Sequence, residues 1–193
     1  MASSSPRRAE ILTILGIPFE VDPAHVDEQL LPDESPEAAA ERLAAAKAAE
    51  VAARHPDRWV LAADTLVAIR GGILGKPRDD EHALRMLRLL SGRRHRVVTG
   101  LRLRRGNDSG SGVIETSLVA IARLSKEEID WYIATGETRD KAGAYAVQGL
   151  GSRFIESVEG SYTNVMGLPA RAVYRLMRDA GDSSLAALAL SSP

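Results

Sequence analysis

Trp59-Val60-Leu61-Ala62-Ala63-Asp64-Thr65-Leu66-Val67-Ala68-Ile69 is the stretch on which the fold turns. It is rich in Val, Leu and Ile and is bounded by Asp57 and by Gly71-Gly72, which reads as a buried strand. The glycine pair permits a hairpin turn, after which Ile73-Leu74 returns as a short strand. Asp64 stands in the middle of this apolar run, where a carboxylate is costly to desolvate unless something pairs with it. Carboxylates so placed bind Mg²⁺ or activate water, because both tasks need a fixed negative charge in a shielded place. The plain structural alternative is an acid held by hydrogen bonds or by a lysine.

Outward from this strand, helix and strand signals alternate. Ser5-Pro6-Arg7-Arg8 opens a first helix, with Ser5 as cap, Pro6 at the first helical position, and Ile11, Leu12 and Leu15 at helical spacing. Gly16 and Pro18 stop it. Ser35-Pro36 repeats the start signal, and the Ala-rich run from Glu37 to Arg54 reads as a long helix ended by His55-Pro56. Asp79 or Asp80 caps a helix through Leu90, closed by Gly92. His95 to Arg105 alternates apolar and polar residues as a strand, Gly106 to Gly112 turns, and Val113 to Leu124 supplies the returning strand. Ser125 and Glu128 form a capping box for a helix ending near Gly136. The Gly-rich stretch from Asp140 to Gly167 carries strand-like pieces such as Phe154 to Val158, and Pro169 starts a last helix that Gly181 closes. The expected class is α/β with a mixed sheet, one domain over residues 1–181, and a weakly ordered tail over 182–193.

The 193-residue chain is long enough to bury a core without disulfides or a structural metal. It has no cysteine, which removes zinc–thiolate sites, thiol nucleophiles and disulfide frameworks and suits a reducing compartment. With 25 basic and 26 acidic side chains the formal charge is −1, so no global basic field exists to hold nucleic acid. No apolar stretch is long enough for a spanning helix, and Met1 to Arg8 lacks the apolar core of a signal peptide. A soluble cytoplasmic protein is expected.

Two further polar clusters accompany Asp64-Thr65. Ser3, Ser5, Arg7 and Arg8 stand at the mouth of the first helix, where free N–H groups and the positive dipole end attract anions. Two arginines in a first turn oppose the helix dipole, a misfit that a bound anion relieves and that a solvated basic turn tolerates. The other cluster is Gly75-Lys76-Pro77 with Asp140-Lys141-Ala142-Gly143-Ala144-Tyr145 and Gln148-Gly149-Leu150-Gly151. Its glycines let backbone approach a ligand and its lysines carry charge to a phosphate, but each piece alone is weak. Neither the dinucleotide nor the Walker fingerprint occurs, which disfavours a Rossmann or P-loop enzyme. His25, His55, His82 and His95 lack metal-ligand spacing and read as surface or turn residues. The Arg85, Arg88, Arg93, Arg94 and Arg96 group reads as one solvated helix face.

In order along the chain, these segments resemble the Maf family. The matching pieces are Ala2-Ser3-x-Ser5-Pro6-Arg7-Arg8, Leu43-x-x-x-Lys47-Ala48, Ala62-Ala63-Asp64-Thr65 and Leu74-Gly75-Lys76-Pro77. They continue with Leu90-Ser91-Gly92-x-x-His95-x-Val97-x-Thr99-Gly100, Thr135-Gly136-Glu137, Asp140-Lys141-Ala142-Gly143-Ala144-Tyr145-x-x-Gln148-Gly149 and Gly167-Leu168-Pro169. One departure is at the start, where Met1 abuts Ala2 in place of the apolar first strand usual in the family, which leaves the anchoring of Ser3 and Ser5 open.

The resemblance implies the Maf/inosine-triphosphatase-like α/β fold, with a long mixed central sheet flanked by helices and a cleft between two lobes. It also implies cleavage of a nucleoside triphosphate to monophosphate and pyrophosphate with a divalent metal, Mg²⁺ or Mn²⁺. Carried over by position, Asp64 is the catalytic carboxylate, Lys47 and Lys76 neutralise triphosphate charge, and Glu28 joins Asp64 in holding metal. Ser3, Ser5 and Arg8 line the phosphate end, while Arg7, Thr65 and Gln148 bear on base choice and look like the branch acting on dTTP and UTP. A glutamine offers a paired donor and acceptor to a pyrimidine edge. A homodimer is implied as well, with neither nucleic acid nor membrane as partner. The rival readings are a 7-methyl-GTP or broad non-canonical nucleotide pyrophosphatase, and a non-catalytic regulator of septum formation.

Overall fold

The strand expected around Asp64 forms as β1 (Trp59–Ile69), and only Trp59 and Thr65 along it are more than marginally exposed. The computed structural model describes residues 1–188. Before β1 come α1 (Pro6–Ile14) and α2 (Pro36–Arg54); after it come β2 (Gly72–Leu74), α3 (Asp80–Leu90), β3 (Arg94–Arg105) and β4 (Ser111–Ile121). α4 (Lys126–Ala134), β5 (Ile155–Glu159), α5 (Tyr162–Val165), α6 (Ala170–Asp179) and α7 (Ser183–Leu188) complete the order. The strands form one five-stranded sheet in the order β2-β1-β3-β4-β5, so the fold is α/β as expected. The β1–β2 and β4–β5 ladders are antiparallel, with Val67 opposite Leu74 and Val119 opposite Val158.

Most boundaries follow from capping chemistry. Ser35 accepts the Ala38 amide, Asp79 accepts the His82 amide, and Ser125 and Glu128 form the reciprocal capping box. The first helix differs. Ser5 sits at its N-cap but its side chain accepts no amide of the helix, and its own amide donates to Ser3 Oγ at 3.2 Å. Two 3₁₀ turns, Ala142–Ala144 and Gly149–Phe154, and the four-residue α5 were not anticipated. The arginine group also divides: Arg85 and Arg88 lie on α3, whereas Arg94 and Arg96 lie on β3, beyond the turn at Gly92.

The chain sorts into two compact units, and β1, β3 and β4 each contribute residues to both. One unit comprises Met1–Asp64, Thr99–Glu115 and the segment from Gly167 onward. In it the alanines of α2 carry the packing: Ala39, Ala40, Ala44, Ala48 and Ala52 are fully buried. Their small side chains let α2 lie against β3 so closely that a Cβ on Gly100 would stand 2.8 Å from the Glu41 amide nitrogen and clash with the Ala40 carbonyl. Ala2 joins Ala48, Val51, Val60 and Ala62 in a small core. Its amide donates to Leu61 O at 2.9 Å, and Met1 bonds through its ammonium to Glu20 O and through its carbonyl to the Asp22 amide. These bonds anchor the segment carrying Ser3 and Ser5. Of the C-terminal residues, Ser183–Leu188 form α7 with Leu185 buried, and residues 189–193 lie outside the described ones.

The other unit comprises Thr65–Val98 and Thr116–Met166. Val67, Leu90, Val97, Val119, Tyr132 and Phe154 are central to its core, and α3 packs on α4 and on the Ala142–Ala144 turn. Here His95 departs from expectation. It is not a surface or turn residue but is 2% exposed, with Nε2 2.7 Å from Tyr145 Oη and the two rings edge to face. Burial lowers its pKa to about 4, so the imidazole is neutral at pH 7. Among the described residues no helix is long and apolar enough to cross a membrane.

Candidate active site

β1 brings Asp64 into the interior at 6% exposure, and α2 brings Lys47 there at 7%. Lys47 Nζ donates to Asp64 Oδ1 at 2.6 Å and lies 2.6 Å from Glu28 Oε1. The lysine is therefore the partner that lets Asp64 remain charged in an apolar strand. One ammonium between two carboxylates leaves the trio with a single net negative charge, and the Glu28 side chain, 57% exposed, keeps it open to solvent.

The first turn of α1 supplies the opposite charge. Arg8 Nη1 donates to Ser3 Oγ at 3.0 Å and Arg8 Nε to Gly167 O at 2.8 Å, which fixes the guanidinium from two directions. Burial lowers the Arg8 pKa; the nearby Asp64 and Glu28 carboxylates raise it, and Arg7 lowers it. The guanidinium keeps its proton in any case. With no acidic residue in its first turn and no side-chain cap from Ser5, the N-terminus of α1 keeps its positive end uncompensated by its own residues. The structure thus joins Ser3, Arg8, Glu28, Lys47 and Asp64 in one unit, with Ser5 and Arg7 beside them on the chain.

The remaining expected site residues belong to the other unit. Thr65 follows Asp64 on β1 and is half-buried. Lys76 is exposed on the loop after β2, and Gly75 O of that loop accepts the Gly143 amide at 3.0 Å. This bond ties the Gly75-Lys76-Pro77 turn to the Asp140–Gln148 segment, the grouping read from sequence. Gln148 is half-buried immediately before the Gly149–Phe154 turn. Two contributors had no assigned role in the sequence reading. Gly167 serves through its carbonyl, and Glu137 accepts the amides of Leu150 and Gly151, both at 2.8 Å. Glu137 lies in the Thr135-Gly136-Glu137 motif, which was the signal available for it.

Among the described residues no group of three or more His, Asp or Glu side chains converges as a metal site. The cluster's own hard donors are two carboxylates beside arginine and lysine, too few for a closed metal cage.

An α/β protein with a buried Lys–Asp pair beside an arginine-bearing helix mouth is the class that the fold and site define. A model of Maf-like proteins matches residues 1–180, and the chain belongs to that family. It is 51% identical over 185 residues to a protein of Anaeromyxobacter dehalogenans (strain 2CP-C) named dTTP/UTP pyrophosphatase, an alignment covering 94% of this chain and 93% of that one. Proteins of the same name from Syntrophus aciditrophicus (strain SB) and Thermomicrobium roseum (strain ATCC 27502 / DSM 5159 / P-2) are 47% and 50% identical over 182 residues each. Those alignments cover 94% of this chain, and 89% and 83% of the two relatives respectively.

Proposed function

We propose that this protein is a nucleotide pyrophosphatase that hydrolyses dTTP and UTP to the monophosphate and pyrophosphate. The observation that carries the reading is the buried Lys47–Asp64 pair at 2.6 Å, shared with Glu28 and faced by Arg8. The names of the relatives supply the substrate.

Arg8, held by Ser3 and Gly167, and the N-terminus of α1 receive phosphate oxygens, with Arg7 and Ser5 at the same end. Lys47 holds Asp64 Oδ1, so the carboxylate is oriented and charged when water approaches. Water attacks the α-phosphorus, its proton passes to Asp64, and the bond to the bridging oxygen breaks with both electrons leaving on pyrophosphate. Lys76 balances charge on the departing pyrophosphate. Gln148 and Thr65 bear on the base, the glutamine amide offering one donor side and one acceptor side to a pyrimidine.

Divalent metal dependence belongs to the same proposal. The donor set fits Mg²⁺ or Mn²⁺, since Asp64 and Glu28 already converge on one cation and Mg²⁺ is ordinarily held by one or two carboxylates with water and phosphate oxygens. When bound there, the ion supplies Lewis-acid polarisation of phosphoryl oxygens. The reading further places the protein in the cytoplasm as a homodimer acting on free nucleotides, consistent with a formal charge of −1 and no cysteine.

The test is a panel of canonical and modified nucleoside triphosphates, 7-methyl-GTP included, with Mg²⁺ or Mn²⁺ and separate assays for phosphate and pyrophosphate. Pyrophosphate from dTTP and UTP, falling by roughly 10²-fold or more in Asp64→Asn, is the expected result. Turnover of no nucleotide, or an Asp64→Asn variant as active as the parent, refutes it.

A further inference from the structure

The segment carrying Gln148 is strapped at both ends to one pair of side chains. On its N-terminal side the Ala146 amide donates to Tyr132 Oη at 3.1 Å. On its C-terminal side the amides of Leu150 and Gly151 donate to the two oxygens of Glu137, both at 2.8 Å. Tyr132 and Glu137 are themselves joined, Tyr132 Oη donating to Glu137 Oε1 at 2.9 Å. A phenol and a carboxylate thus close a bracket around residues 146–151, with Gln148 at its middle.

The bracket is rigid on its own side. Tyr132 is fully buried on α4, packed edge to face on Phe154. Thr135 Oγ1 donates to Tyr132 O at 2.6 Å and accepts the Glu137 amide at 3.2 Å, which fixes the turn between the two residues. The loop side is shaped to match. Gly149 adopts φ +73°, and a Cβ there would stand 2.6 Å from Glu137 Oε2; a Cβ on Gly151 would strike Tyr132 Oη. Only glycine at both positions lets the backbone come this close. Burial raises the Glu137 pKa, but the Leu150 and Gly151 amides and the Tyr132 hydroxyl outweigh it and lower the carboxyl overall, so the bracket carries its charge at neutral pH.

We infer that Glu137 and Tyr132 are positioning residues that hold Gln148 for base discrimination, without themselves touching the nucleotide. This rests on the proposed role of Gln148 at the base. A glutamine discriminates only if its donor and acceptor sides are held in place, and an error of about 1 Å in a positioned group costs roughly 10²-fold.

The experiment compares Glu137→Gln, Tyr132→Phe and Gln148→Ala with the parent, taking kcat and KM for dTTP, UTP, dGTP and 7-methyl-GTP. Amide hydrogen exchange at Leu150 and Gly151 is followed in parallel. Glu137→Gln and Tyr132→Phe are expected to reduce pyrimidine-over-purine discrimination by roughly tenfold to a hundredfold, mainly through KM for dTTP, and to speed exchange at both amides. Gln148→Ala reduces the discrimination as well. If Gln148→Ala reduces it and the two bracket variants do not, the positioning role is overturned and the base-reading role stands. If Gln148→Ala leaves it at the parent value, Gln148 does not read the base and the positioning role falls with it. Should Glu137→Gln fail to fold, Tyr132→Phe carries the test, since it keeps the buried ring and removes only the hydroxyl.

Discussion

Replacing Lys47 by Met isolates what the ammonium does for the buried cluster. Lys47 and Asp64 side chains are each 9% exposed, so Lys47→Met removes the ammonium that Asp64 and Glu28 share and leaves Asp64 in an apolar strand without its direct ion-pair partner. Removing one partner of a buried ion pair costs ~3–5 kcal/mol, and the solvent reached through Glu28 sets the expectation at the lower end, about 3 kcal/mol. For a chain of this size, at ~2–4 °C per kcal/mol, the melting temperature falls by roughly 6–12 °C. Lys47→Met combined with Asp64→Asn removes both charges and should cost less than Lys47→Met alone, with a coupling of ~2 kcal/mol. Urea denaturation of the four proteins at neutral pH, read as a double-mutant cycle, measures this directly. If Lys47→Met costs the same with Asp64 as with Asn at that position, within about 0.5 kcal/mol, the pair is not coupled and the account of how Asp64 stays ionised fails.

Two other outcomes are expected. Burial holds His95 to about 4 against an ordinary 6.5, so between these values the unfolded chain binds a proton that the native chain does not. Stability is therefore complete above the ordinary value and declines as pH falls toward the lower one, by about 3 kcal/mol in all. An NMR titration in which the His95 ring changes near its ordinary value contradicts this. Gly100→Ala drives a methyl group into the Ala40–Glu41 backbone of α2 and should destabilise by at least ~1–3 kcal/mol, the range for overpacked cores. A parent-like urea midpoint means α2 does not lie so close to β3.

Elements announced by local chemistry were legible in the sequence: Ser35, Asp79 and the Ser125–Glu128 box each start a helix where their residue types require one. What escaped depended on distant partners. Ser5 reads as a cap, but its side chain accepts no helix amide, while its own amide and the Arg8 guanidinium both converge on Ser3 Oγ. His95 reads as an isolated histidine because Tyr145 lies 50 positions away. The unusual cost of Asp64 was visible from its apolar neighbours, and a lysine was among the partners considered, yet no spacing rule joins Lys47 and Glu28 to it. That convergence is a property of the fold, and the roles of these residues came from the family resemblance. Glu137 sat in a quoted motif without a role, since a carboxylate accepting loop amides leaves no periodic trace.

The bond from Arg8 to Gly167 spans 159 positions and closes within a unit that contains both the start of the chain and the segment from Gly167 onward. During synthesis, N-terminal portions of proteins ordinarily fold first. Here Arg8 must wait for Gly167 to be made before its guanidinium is held from both sides. A nascent chain stalled before that residue therefore carries Ser3, Lys47 and Asp64 but not the second anchor of Arg8. The order of translation thus makes the second anchor of Arg8 a contact that only a chain extended past Gly167 can supply.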